Sequence, residues 1–211
     1  MTDREGTGMG SGRLEAFSDG VLAIIITIMV LEFKAPHEAT WGALRELVPE
    51  LLSYVLSFAY IGIYWNNHHH LFQAVQRVEG WTLWANLHLL FWLSLVPFTT
   101  KWMGNTSFEP WPVAAYGVVL LAAAIAYMIL QRGLVALHGS DSLLAAAVAN
   151  DFKEKSSLAL YIVGVAVSFF LPLVACVAYL AVALIWLKPD HRIERRMNEE
   201  PSEAGDPSRQ T

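Results

Sequence analysis

The chain has a single cysteine, Cys176, set in an apolar run. No intrachain disulfide can form, and cysteine carries no information about redox compartment. Charge is scarce as well: 16% of the 211 residues are charged, against about 25% in an ordinary soluble domain. With 55% of residues hydrophobic, that shortage excludes a soluble globular chain and points to a membrane. The net charge of -5 and the lack of any large basic cluster exclude a nucleic-acid surface, which must neutralise a run of phosphates. Also missing are a Gly-rich phosphate loop after a strand, a nucleophile elbow and paired intramembrane carboxylates. No catalytic set is convincing, so the chain reads as a non-enzyme that needs no cofactor.

The start, "MTDREGTGMGSG", lacks an apolar h-region, and no cleaved signal peptide is expected. Residues 1–12 read as a disordered lead and residues 189–211 as a polar, disordered tail, because neither can bury enough apolar surface to fold. Residues 13–188 form one transmembrane domain.

Within it lie the opening segment from Arg13 to Phe33 and hydrophobic runs from Leu47 to Leu71, Trp81 to Thr100, Pro112 to Leu130 and Leu158 to Leu187. The last is thirty residues long, about 45 Å as one helix, and overshoots a bilayer core of about 30 Å. Pro172 sits near its middle, where a helix breaks or kinks. One kinked helix and a tight hairpin of two short helices compete, and charge decides between them. With six spans the fourteen Lys and Arg residues divide eleven to three between the two sides, as the positive-inside rule requires. The expected architecture is therefore all-α, with six transmembrane helices and both termini cytoplasmic. Trp41, Trp65, Trp81, Trp102, Trp111 and Trp186 fall near helix ends, as interfacial anchors do. No internal repeat is visible.

The opening segment, "RLEAFSDGVLAIIITIMVLEF", has only eleven uninterrupted apolar residues, Val21 to Leu31, if Thr27 is counted. A span needs about 20 residues, so Ser18 and Asp19 lie at or inside the hydrocarbon. An ionisable group there marks a functional site or a buried network by default. Beyond it, Ile24, Thr27, Ile28 and Leu31 share one helical stripe. That stripe is either a packing face, with Thr27 bonded to the carbonyl of residue 23 or 24, or the lining of a pore. Composition and spacing leave both open.

On the second run Ser53, Ser57, Tyr60, Tyr64 and Asn67 share a face suited to close helix packing and interhelical hydrogen bonds. Directly after come His68, His69 and His70. Successive helical residues point about 100° apart, so the three cannot ligate one metal ion together. One or two of them turning inward to a buried polar group is the better reading. Asn86 and His88 on the third run stand at a similar depth. Arg13, Ser18, Asp19, His68 or His69, and Asn86 then make a cluster in which donors keep Asp19 ionised. The competing reading, a helix capped by Ser18 or Asp19, would leave a helix too short to span.

These residues resemble a known family. The first segment, with Arg13, Phe17, Ser18 and Asp19 in an R-x-x-x-F-S-D pattern, is similar to the signature helix of bacterial homologues of a lysosomal potassium channel, transmembrane protein one-seven-five. "YIGIYWNNHHHLF" and "NLHLLFWLSLVPFTT" resemble that family's next two helices. The resemblance implies a homotetramer of six-helix subunits in the bacterial plasma membrane, with a central potassium pore lined by the first helix. It also implies a hydrophobic constriction at Ile24, a threonine layer at Thr27 where potassium lodges transiently, and Ile28 and Leu31 on the pore face beyond. Arg13, Phe17, Ser18, Asp19, one of His68 and His69, and Asn86 would brace that helix. A proton-coupled transporter using Asp19 and the histidines is the alternative, and a His-ligated membrane enzyme a third reading.

Overall fold

The computed structural model describes residues 10–75, 78–139 and 151–187. Among them are eight helices and no strand: α1 (Ser11–Leu31), α2 (Trp41–Glu46), α3 (Val48–Gln73), α4 (Gly80–Ser94), α5 (Val96–Asn105), α6 (Pro110–His138), α7 (Asp151–Ser168) and α8 (Pro172–Leu187). The chain is an all-α polytopic membrane protein. Ser11–Leu31, the joined segment Gly80–Asn105, and Pro110–His138 are each long and apolar enough to cross a bilayer.

Prolines set the joints. Pro97 lacks the N–H that would reach back one turn, and the helix kinks at Leu95, dividing α4 from α5. Pro172 opens α8 after a three-residue break from the end of α7, and the two helices pack on each other. The thirty-residue apolar run is therefore two helices and not one. The short α2 had no expectation attached to it. Thr40 caps it, accepting the Ala43 N–H at 3.2 Å.

Two helices reach well past their hydrophobic runs. The sequence places a loop over 131–157, yet α6 continues to His138 and α7 begins at Asp151. Gln131 and Leu134 remain buried, and the Trp81 ring lies where any side chain on Gly133 would go. The polar start of α7 is held by the Trp186 Nε1–H, which donates to Ser157 Oγ at 2.8 Å. These are amphipathic extensions, which a hydropathy run does not register. At the other end α1 starts at Ser11, two residues ahead of the expected domain boundary. Residues 1–9 and the tail at 189–211 lie outside the described residues.

The core runs through α3 and α6. Helix α3 packs on α1, α5 and α8, and α6 on α4, α5, α7 and α8. The hydroxylated face of α3 is buried there, and its hydrogen bonds cross between helices. Ser57 Oγ pairs with Thr100 Oγ1 at 2.6 Å and donates to the Tyr116 hydroxyl at 3.0 Å, while the Tyr60 hydroxyl donates to the Tyr179 carbonyl at 2.6 Å. Helix α5 comes close because residue 104 is glycine: a Cβ there would stand 2.8 Å from the Cα of Glu50.

Candidate functional site

Helix α1 has two faces. Leu14, Ser18, Leu22, Ile25 and Met29, at intervals of three and four residues, are buried against α3, α4 and α5. The opposite stripe is open: Ile24 is 58% exposed, Ile28 41% and Leu31 79%, with Thr27 exposed between them. Those four residues thus share one side of the helix in space as well as in spacing. Thr27 Oγ1 donates to the Ile24 carbonyl at 2.9 Å. That bond uses its one proton and leaves the oxygen able to accept. Beside the stripe runs an open groove of about 590 Å³, bounded by Val21, Ile24 and Ile28 on one side and Pro97 and Phe98 on the other.

The buried face is tied down by a polar chain. Ser18 Oγ donates to the Leu14 carbonyl at 2.9 Å, so it sits inside a helix that began at Ser11 and does not cap one. Asn86 of α4 donates from Nδ2 to Ser18 Oγ at 2.8 Å, and its Oδ1 lies 2.8 Å from His68 Nε2. An amide oxygen only accepts, so His68 carries its proton on Nε2. All three side chains are buried within the protomer.

His69 takes the other tautomer. Its Nδ1 lies 2.6 Å from the Glu15 carboxylate, and its Nε2 accepts from Gln73 Nε2 at 2.9 Å. The ring stacks on Trp65 with an interplanar angle of 13°. Adjacent histidines thus serve different partners, His68 reaching α4 and His69 reaching α1. Among the described residues no three His, Cys, Asp or Glu side chains gather as a metal site. His88 points outward and accepts from Trp92 Nε1 at 3.0 Å, apart from this chain.

Among the described residues, Arg13, Phe17 and Asp19 show no hydrogen bond to this chain. Arg13 is exposed and Phe17 is half exposed. Asp19 has one carboxylate oxygen, Oδ1, buried without a hydrogen-bond partner among the described residues. Conversely, Glu15 belongs to the site and sequence reasoning missed it. The signal was present, since Glu15 lies three and four residues ahead of Ser18 and Asp19, on the same side of the helix. Also missed was the ion pair of Glu32 with Lys101, which ties the far end of α1 to α5.

A family model described as the endosomal/lysosomal potassium channel TMEM175 matches residues 13–97, the stretch containing this site. A potassium channel of Chryseobacterium sp. (strain P1-3) is 56% identical over 191 residues, covering 90% of this chain and all of that protein. One of Streptomyces collinus is 39% identical over 128 residues, and this chain spans 62% of its length. Among solved structures, the crystal structure of a lysosomal potassium-selective channel TMEM175 homolog from Chamaesiphon minutus superposes with a TM-score of 0.73 at 29% identity, covering 84% of this chain and 96% of that one.

Proposed function

Because this chain belongs to the TMEM175 potassium-channel family, an ion-channel family and not an enzyme family, we propose that it conducts potassium passively along the open stripe of α1. Four copies assemble as a homotetramer with α1 of each at the axis. Six helices of each subunit, α1, α3, the α4–α5 pair, α6, α7 and α8, span the membrane, and both termini are cytoplasmic. In this arrangement Ile24 and Leu31 form hydrophobic constrictions that dewet the pore, and Thr27 forms a polar layer where a potassium ion lodges transiently. Ile28 continues the wall between them.

The observation that carries this reading is the exposure of Ile24, Thr27, Ile28 and Leu31 along one side of a helix whose other side is core. Thr27 interrupts this otherwise apolar stripe with a hydroxyl whose proton is held by the Ile24 carbonyl and whose oxygen can still accept. Anchorage at both ends, by Ser18, Asn86 and His68 and by Glu32 with Lys101, suits a helix that must stay fixed while ions pass. Potassium flux from proteoliposomes tests it. Ile24→Asn raises the leak by wetting the narrow ring, and unchanged flux in both Ile24→Asn and Leu31→Asn overturns the assignment. Single-channel currents without saturation separate the channel from a proton-coupled transporter working through Asp19 and the histidines.

A further inference from the structure

The three residues that join α7 to α8 are Phe169, Phe170 and Leu171. Phe170 is 83% exposed and Leu171 58%, and Leu173 and Val174 in the first turn of α8 are open as well. A connection between helices ordinarily runs through water and carries polar residues. The connection from α5 to α6 does so, with Asn105, Ser107 and Glu109 exposed. The two connections stand at the same end of the protein: Trp111, two residues past Glu109, packs edge-on against Phe169 with ring centroids 5.1 Å apart. One end of the molecule thus presents a polar turn and an apolar one side by side.

The apolar turn also answers its own backbone. The N–H groups of Phe170 and Leu171 both donate to the Val167 carbonyl, at 2.9 and 2.8 Å. Pro172 has no N–H, and those of Val174 and Ala175 return to the Leu171 carbonyl at 3.0 and 3.2 Å. A turn whose donors are met internally can leave water, whereas open backbone donors in hydrocarbon cost several kcal/mol each.

Length agrees with this. Helix α8 has 16 residues and is about 24 Å long, against a hydrocarbon core of about 30 Å. Its other end is marked by Trp186, an aromatic of the kind that sits among headgroups, which is bonded to Ser157 near the polar start of α7. Measured from that level, α8 ends about 6 Å below the opposite headgroups. Down from the tip, Leu173, Val177, Leu180 and Leu184 form an exposed stripe of bulky side chains. Contacts between membrane helices favour small or hydrogen-bonding residues, so this stripe suits acyl chains better than a second copy of the protein.

We propose that the Phe169–Leu171 turn is a lipid-contact surface that ends among the acyl chains of the leaflet distal to Trp186 and does not emerge into water. The proposal rests on the reading that α7 and α8 cross the membrane, and is independent of the pore assigned to α1.

The test is spin-label accessibility of the full chain in phosphatidylcholine liposomes, with labels at Phe170→Cys, Glu109→Cys and Val177→Cys, each in a Cys176→Ala background. The ratio of accessibility to oxygen over accessibility to nickel ethylenediaminediacetate is severalfold higher at 170 than at 109, and is high at 177. A label at 170 as open to nickel as the one at 109 overturns the proposal by placing the turn in water. A label at 170 closed to both reagents overturns it by showing protein there instead of lipid. If 177 is also open to nickel, the crossing itself fails, and the proposal with it. Should Phe170→Cys not fold, Leu171→Cys carries the same label and is read by the same outcomes.

Discussion

Asn86 is the side chain on which the hold on α1 depends, because its amide is used at both ends within a fully buried setting. Its Nδ2 donates to Ser18 and its Oδ1 accepts from His68. Replacing it with alanine strands the His68 N–H, while Ser18 keeps its bond to the Leu14 carbonyl. With the small cavity also left behind, Asn86→Ala should cost about 2–3 kcal/mol, seen as a lower melting temperature of the detergent-solubilised protein. Thr27 is the contrasting case. It is exposed and bonds only within its own helix, so Thr27→Val should leave melting nearly unchanged. It should instead move the potassium-to-sodium permeability ratio, read as a bi-ionic reversal potential, toward unity. A third position offers stability outright. Ser107 has φ 50°, in the left-handed region, at a helix end where its N–H bonds the Gly104 carbonyl at 3.1 Å and the Phe108 N–H bonds Met103 at 3.0 Å. Glycine suits that place without steric penalty, so Ser107→Gly should stabilise by about 0.5–1 kcal/mol in the same melting assay.

At the scale of elements, the approach of α5 to α3 rests on the bare Cα of Gly104. A methyl there meets the Ser53 hydroxyl at 2.7 Å and the Glu50 backbone at 2.8 Å, and the backbone cannot swing aside. Gly104→Ala should therefore cost about 1–3 kcal/mol of packing and loosen Thr100 from Ser57, which faster amide exchange in α5 would record. This junction was half legible in the sequence: the hydroxylated face of α3 was visible at Ser53 and Ser57, but nothing local marks Gly104 as its partner. The same holds more widely. Hydrophobic runs located α1, α3 and the α4–α5 pair, and Pro172 located the break between α7 and α8. The extensions of α6 to His138 and of α7 back to Asp151 were illegible, because Leu134 and Glu154 are buried by tertiary contact within segments of mixed polarity. In the site, Ser18, His68 and Asn86 were found because buried polar groups on apolar helices demand partners. Glu15 was not legible because a carboxylate in the first turns of a helix ordinarily meets water, and the two histidines, adjacent on one helix, differ only in the partners that tertiary packing brings to them.

For the whole molecule, the unanswered carboxylate oxygen of Asp19 is the feature that most needs a second copy. Within one protomer its Oδ1 is buried and unpartnered among the described residues, while Arg13 is exposed on the same helix. A buried carboxylate oxygen without a donor is costly. If assembly supplies that donor, the protomer alone is penalised and the tetramer is relieved. Asp19→Ala removes both the penalty and the relief. The substitution should thus leave the helical content of the separated protomer close to that of the parent and raise its melting temperature, while the tetramer fraction, measured by size-exclusion chromatography with light scattering, falls severalfold. Asn86→Ala makes the control, since its partners lie inside one protomer and its loss should lower protomer stability first. A tetramer fraction unchanged in Asp19→Ala would mean that the carboxylate finds its partner within the subunit and takes no part in the proposed assembly.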